Sequence, residues 1–310
     1  MNSRRRIPHS SAWPKQHVNT IMEADALHAL EKIPDACIAL SVTSPPYWNV
    51  IDYENDGQIG HTEYDQYIGD LLHVWREVHR VLIPNGKLAV VTPIMPIPKK
   101  VINNQHTRHL KNISSDIEQS ILSGIEGFHR YSLFIWQKQT TVKMFGSYPY
   151  PPNIYEDNTM EFINVFVKDG SPPPIAKEAK EASRMTQDEW RNLTMQVWPM
   201  YPADVKRAGG HPCPFPVVLP QRLIMMYTFA RCPKAGFAGD IVLDPFNGAG
   251  ATCAAAKAMN RNYIGIDLNP EYCQTARHRL QHEKINPQAI FLEPARVKNP
   301  KTQDASIRKK

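Results

Sequence analysis

The stretch Asp240-Ile-Val-Leu-Asp244-Pro-Phe-Asn-Gly-Ala-Gly-Ala-Thr252 decides how the chain folds. It opens with a short apolar run ended by a carboxylate, the pattern of a strand buried in a parallel sheet. A glycine loop follows, and then the alanine-rich segment Gly248 to Asn260, which reads as a helix. Glycine lets a backbone turn and approach a ligand with no Cβ in the way. A helix N-terminus offers free N–H groups to a carboxylate or phosphate. The spacing is F-x-G-x-G, not G-x-G-x-x-G, and no G-K-[ST] follows. That counts against a phosphate-binding P-loop and weakens a dinucleotide site. Asn262 to Asp267 reads as the next strand, again closed by an acid, where doubly wound sheets pair a carboxylate with ribose hydroxyls. A plain glycine turn with a helix-capping Asp is the alternative. Strand, loop, helix, strand and acid in register favour the ligand loop.

A second strand end lies far upstream. Ala36 to Val42 is apolar, and Thr43-Ser44-Pro45-Pro46-Tyr47-Trp48 follows it. Two prolines stop a regular ladder, because each fixes φ and has no N–H to donate. The turn presents the Ser44 hydroxyl, proline carbonyls and two aromatic rings at the carboxyl end of a strand, where open α/β sheets bind ligands. The set suits a flat ring with an exocyclic amino group: acceptors take the amino protons and an aromatic face covers the ring. Alone, S-P-P-Y reads as readily as a proline-braked strand end with two core aromatics.

Between and around these motifs, His17 to Ala24 alternates as a strand, and Asp25 is an N-cap for a helix from Ala26 to Lys32. With the strand before Ser44 this makes a parallel strand–helix–strand unit. Residues 49–62 read as a loop over the site. Tyr64 to Leu82 has apolar residues at helical spacing, and Pro84-Asn85-Gly86 ends it. Lys87 to Thr92, Tyr131 to Gln137 and Glu161 to Lys168 read as strands, with a helix around Ile113 to Leu122 and a rigid aromatic loop from Gly146 to Asn153. Ser171 to Pro174 is a linker. Residues 175–210 are basic and carry Trp190 and Trp198, a texture that fits either a nucleic-acid contact or a solvated helical excursion. Val217 to Ala230 and Pro270 to Lys284 read as helices, and Ile290-Phe291-Leu292 as a last edge strand. The organisation expected is a flexible basic arm (1–16), one α/β domain in two halves (17–170 and 211–292) interrupted by a small insert (171–210), and a basic tail (293–310).

The chain has 310 residues, 42% of them hydrophobic, enough for one large α/β domain with an insert. No apolar run approaches the length of a membrane helix, so no membrane association is expected. The five cysteines form no C-x-x-C pair, which points to reduced thiols in a cytoplasm and to no metal site. A net charge of +6 is compatible with a polyanionic partner.

Taken together, T-S-P-P-Y-W, H-P-C-P-F-P (211–216) and D-P-F-N-G-A-G-A-T, in that order, resemble the amino-group DNA methyltransferases of the β motif order. The resemblance covers most of residues 17–284 and implies that 17–170 is the catalytic half, 171–210 a target-recognition insert and 211–292 the cofactor-binding half. It implies a doubly wound, Rossmann-like α/β sheet, S-adenosyl-L-methionine as cofactor and double-stranded DNA as partner. Ser44, Pro45, Pro46 and Tyr47 match the family's catalytic tetrapeptide. Asp244, Phe246, Asn247, Gly248, Gly250 and Thr252 fall in its cofactor loop, and Asp267 matches its ribose acid. His211, Pro212 and Phe215 lie in the segment that closes over the methionine end. Asp25 sits where the family often places an acid near the adenine, though an N-cap serves equally.

The chemistry this implies is transfer to an exocyclic nitrogen whose lone pair is delocalised into its ring. Hydrogen bonds from the amino protons to Ser44 Oγ and the Pro45 carbonyl favour a pyramidal nitrogen, and Tyr47 stacks on the flipped base. In this family S-P-P-Y is mostly associated with cytosine N4 and D-P-P-Y with adenine N6. The expectation is therefore cytosine N4, with adenine N6 the alternative. An RNA methyltransferase, a non-catalytic nucleic-acid-binding module and a nicotinamide-dependent oxidoreductase are more distant readings. A homodimer and a companion restriction endonuclease are further expectations from the family.

Overall fold

The computed structural model describes residues 13–48, 59–60, 62–97, 108–203 and 214–291. In chain order its elements are β1 (Thr20–Glu23), α1 (Ala26–Leu30), β2 (Ile38–Thr43), α2 (Tyr64–Val81), β3 (Leu82–Thr92), β4 (Met95–Pro96), β5 (Leu110–Lys111), α3 (Ile113–Gly124), β6 (Phe128–Lys138), β7 (Phe145–Gly146) and β8 (Ile154–Tyr155). There follow β9 (Met160–Lys168), α4 (Lys177–Ala182), α5 (Gln187–Leu193), β10 (Val197–Met200), α6 (Val218–Tyr227), β11 (Ile241–Asp244), α7 (Ala251–Ala258), β12 (Asn262–Asp267) and α8 (Pro270–His282).

Eight strands form one sheet in the order β1-β12-β11-β2-β3-β9-β6-β10. Every neighbouring pair is parallel except those made by β9, which runs against β3 and β6. The fully buried run of β2 explains its central place, since a parallel strand covered on both faces carries apolar side chains throughout. Helices cover both faces. One core gathers Leu40, Val42 and Val91 beneath α6, α7 and α8. The other gathers Leu88, Val90, Leu243 and Ile266 beneath α1, α2 and α3.

The chain leaves β11 towards β12 on one side and leaves β2 towards β3 on the other. The β11–β2 pair is therefore the topological switch point, the place where an open α/β sheet forms a ligand crevice at its carboxyl edge. Both sequence motifs emerge there.

Several expectations need correction. The opening strand–helix–strand unit is parallel, but β12 and β11 lie between β1 and β2. The strands that fill the gap come from the far end of the chain, so nothing local announces them. Pro84-Asn85-Gly86 does not separate α2 from the next strand: α2 ends at Val81 and β3 runs from Leu82 through all three. Ile290-Phe291-Leu292 is not an edge strand, because Pro287–Phe291 is a 3-10 turn with Ile290 buried. A proline at its head has φ preset for a helical turn. The described part of the expected insert, residues 171–203, is joined to the main sheet, since β10 extends it beyond β6 and Trp198 stacks on Phe134 at 4.4 Å. Of the two tryptophans read as contact residues there, Trp198 is core and Trp190 is exposed. The basic arm up to residue 12, the tail, most of the loop 49–62 and the segment with His211 and Pro212 lie outside the described residues.

Candidate active site

At the switch point the catalytic turn and the glycine loop are bonded to each other. Thr43 Oγ1 donates to Asp244 Oδ1 at 2.7 Å, and Thr252 Oγ1 donates to the Val42 carbonyl at 3.3 Å. These buried contacts join β2 to the end of β11 and to the first turn of α7. Asp244 also accepts from the Phe246 N–H at 3.2 Å, while its Oδ2 is buried with no hydrogen-bond partner among the described residues. Burial pushes the Asp244 carboxyl up to about 7, against the opposing pull of the Thr43 and Thr252 hydroxyls and the Phe246 N–H.

The turn itself is held from outside. Tyr67, fully buried on α2, donates its hydroxyl to the Pro46 carbonyl at 2.9 Å, and Trp48 Nε1 donates to the Thr62 carbonyl at 2.8 Å. The Ser44 and Tyr47 hydroxyls are 2.9 Å apart. The Tyr47 ring, expected to stack on a base, is only 3% exposed, so it presents its hydroxyl to Ser44 instead of an open face.

The glycine loop is folded over the end of β12. The Asn247 N–H donates to the Ile266 carbonyl at 2.8 Å, and the buried Asn247 side chain fits because position 265 is glycine: a Cβ there would lie 2.6 Å from Asn247 Oδ1. Gly250 takes φ +79° at the head of α7, and a Cβ on it would meet Ala276 Cβ at 2.8 Å. Asp267 Oδ2 accepts from the Gly248 N–H at 2.6 Å and Oδ1 from the Asn269 N–H at 2.9 Å. Burial raises this carboxyl too, and the two backbone N–H groups oppose the shift. Phe246 is half-buried, edge-on to Trp75 at 5.9 Å.

Asp25 caps α1 by accepting from the His28 N–H at 3.1 Å, and its carboxylate stays partly exposed. Glu23 is in register with Asp267, so Asp25 and Asp267 leave adjacent strands at one edge. Phe215 is buried in the core beneath α6. The structure thus brings Ser44, Pro45, Pro46 and Tyr47 together with Asp244, Phe246, Asn247, Gly248, Gly250, Thr252 and Asp267. Thr43 and Tyr67 join the site although the sequence marks neither as a site residue. Tyr67 reads in the sequence only as one of several apolar positions on a helix, yet a buried phenol needs a partner, which is the signal it offered.

The DNA methylase family model matches residues 38–278, a span that takes in both motifs and the sheet between them. The chain belongs to the DNA methylase family of N4 and N6 amino-group enzymes. It is 28% identical over 295 residues to the type II methyltransferase M.Cfr9I of Citrobacter freundii, covering 86% of this chain and 89% of that one. It is 29% identical to the DNA adenine methyltransferase YhdJ of Escherichia coli K12, covering 93% and 90%. Among solved structures it is similar to a Thermus thermophilus protein described as a DNA modification methylase and complexed with S-adenosyl-L-methionine. The TM-score is 0.68, the identity 30%, and the coverage 85% of this chain and 93% of that one. The PvuII cytosine-N4-specific DNA methyltransferase shares the fold, with a TM-score of 0.60 at 20% identity over 87% and 89% of the two chains.

The methyltransferase uses S-adenosyl-L-methionine, and its residues fit that cofactor. Gly248 and Gly250 take positive φ in the loop that leads into the N-terminus of α7, Asp267 stands beside them by accepting from the Gly248 N–H, and the buried Asp244 Oδ2 has no hydrogen-bond partner among the described residues. No group of His, Cys, Asp and Glu that could hold a metal is found among the described residues. No helix among them is long and apolar enough to cross a membrane.

Proposed function

We propose that this methyltransferase modifies the exocyclic N4 of a cytosine flipped out of double-stranded DNA. The observation that carries the reading is the hydroxyl at the head of the turn: Ser44, bonded to Tyr47. The cofactor supplies a methyl already activated by a sulfonium. The chain supplies alignment. Either hydroxyl of the Ser44–Tyr47 pair can donate to the other, and with Ser44 as the donor its lone pairs are left for the incoming base. Ser44 Oγ and the Pro45 carbonyl then accept hydrogen bonds from the two amino protons and favour a pyramidal nitrogen with its lone pair free, and after methyl transfer the nitrogen releases one of those protons to solvent. Tyr67 keeps the carbonyls aimed by holding Pro46. Asp267 and the glycine loop would hold the cofactor beside this turn, with Asp25 at the same edge of the sheet.

Adenine N6 is the second reading, favoured by the likeness to YhdJ, which is named for adenine. The type II names among the relatives support a restriction-modification role with a companion endonuclease. The test is to incubate the protein with tritiated S-adenosylmethionine and unmethylated genomic DNA, digest to nucleosides and identify the labelled one. N4-methylcytosine is expected. N6-methyladenine would replace the base, and no label in DNA with the cofactor still bound would remove the DNA substrate.

A further inference from the structure

One conspicuous surface feature has no part in the chemistry above. The hairpin of β7 and β8 carries the largest exposed apolar side chains among the described residues, with Met144 78%, Tyr148 76%, Tyr150 74% and Ile154 73% exposed. From Met144 to Tyr155 it holds no charged residue. An exposed apolar cluster of this kind marks an interaction site.

The hairpin is stiff. Pro149, Pro151 and Pro152 fix φ at the tip. The Ser147 N–H donates to the Asn153 carbonyl at 2.8 Å and the Tyr150 N–H to the Ser147 carbonyl at 2.9 Å. It also stands at the carboxyl edge of the sheet, since it links the end of β6 to the start of β9, and β6 runs in the direction of β2.

A run of contacts ties it to the catalytic turn. Asn158 Nδ2 donates to the Ile94 carbonyl at 3.0 Å, just beyond β3. Arg108 pairs with Glu156 at 2.6 Å and covers the Tyr155 ring. On the adjoining strand Lys111 Nζ sits 3.7 Å over the Tyr64 ring, which meets Trp48 edge-on at 4.9 Å. Aromatic tips held rigidly beside a site for a single base suit stacking among bases, and their lack of charge avoids repulsion by phosphates.

We propose that the β7–β8 hairpin is a wedge that enters the duplex beside the target, with Tyr148 and Tyr150 stacking where the flipped base has left. The inference rests on the reading that the enzyme acts on duplex DNA. It predicts that the rings matter only when a base pair must be broken.

The test first maps the methylated site by sequencing genomic DNA treated with the protein and S-adenosylmethionine, and then uses two oligonucleotide duplexes bearing that site, one with the target base paired and one with it mismatched. The double variant Y148A/Y150A is expected to lose about tenfold or more in transfer to the paired duplex, and to stay within about threefold of the wild type on the mismatched one, because breaking a pair costs a few kcal/mol that a mismatch has already removed. Y148F/Y150F is expected to match the wild type on both, since it keeps the rings. No loss on the paired duplex, or equal loss on both, would overturn the wedge. A wild type that labels no DNA at all removes the DNA reading and the wedge with it, without any variant being involved.

Discussion

Thr43 and Asp244 stand 201 positions apart and share a buried hydrogen bond of 2.7 Å. One belongs to the catalytic turn and the other to the cofactor loop, so with the Thr252 bond to the Val42 carbonyl this contact ties the two halves of the site together. In Thr43→Val the carboxylate keeps its burial and loses its hydroxyl donor. A buried acceptor left short of a partner costs about 1–3 kcal/mol. Thermal or chemical denaturation is expected to show that loss, and calorimetry a weaker affinity for S-adenosylmethionine. Thr43→Ser restores the hydroxyl and is expected to restore both. A valine variant with wild-type affinity would show that the contact does not position the loop.

The same carboxyl makes stability depend on pH. Asp244 titrates near 7 in the fold and near its ordinary 3.8 when unfolded. Between those values the native state holds a proton that the unfolded chain has released, so stability falls as pH rises. Its contribution is full below about 4 and lost by about 7. Asp240, pushed up to about 6 by burial, acts in the same direction over a narrower range. Asp244→Asn is expected to flatten the decline between pH 4 and 7 by roughly 2–4 kcal/mol, leaving the shorter decline due to Asp240 and to the raised Asp267 carboxyl. Urea melts at half-unit pH intervals would show it. An unchanged slope would mean that Asp244 is ionised throughout.

Much of this arrangement is legible in the sequence, and the reasons differ by element. Asn262–Asp267 reads to its observed bounds because an apolar run between a polar start and a carboxylate leaves little freedom. The Ser44 turn reads because two prolines force it out of the sheet. The position of β1 does not read, since its neighbour β12 is a partner chosen by the whole sheet. Nor does the bond from Thr43 to Asp244, because a hydroxyl at a strand end carries no sign of what it will face. Gly146 to Asn153 reads as a rigid aromatic loop, but its exposure appears only once β6 and β9 are placed.

Ser44 and Asp267 should separate chemistry from binding. Ser44→Ala removes the hydroxyl that faces the amino group and leaves the glycine loop untouched. Methyl transfer is expected to fall about a hundredfold or more, with S-adenosylmethionine affinity within error of the wild type. Asp267→Ala instead releases the Gly248 and Asn269 N–H groups together. Cofactor affinity should drop by at least about tenfold, with transfer at saturating cofactor affected less. Two variants with the same pattern in a binding and single-turnover comparison would end this division of roles.

Tyr67 offers a test of positioning at a distance from the chemistry. Tyr67→Phe deletes only the hydroxyl that holds the Pro46 carbonyl. The ring still fills its place in the core beneath α2, so stability should fall by about 1 kcal/mol. The turn gains freedom, and kcat is expected to fall several-fold while the KM for S-adenosylmethionine stays constant. A rise in that KM with kcat unchanged would place Tyr67 on the cofactor side.

Gly250 is the sharpest backbone requirement in the cofactor loop. Its φ of +79° lies in the left-handed region, where a side chain costs about 1–2 kcal/mol. The added Cβ would also lie 2.8 Å from Ala276 Cβ and 3.2 Å from Ala276 Cα, a backbone atom of α8 that cannot swing aside. Gly250→Ala must therefore move the head of α7 or push α8 outward. Either shift pulls the first-turn N–H groups away from the ligand crevice, so cofactor affinity should fall along with stability. Adding Ala276→Gly removes the side-chain half of the clash and leaves the φ strain and the crowding against the α8 backbone. The double variant is expected to recover part of the loss in denaturation and in cofactor binding, and no more than part. Full recovery would show that φ at Gly250 is free, and no recovery that crowding against α8 is not what the glycine avoids.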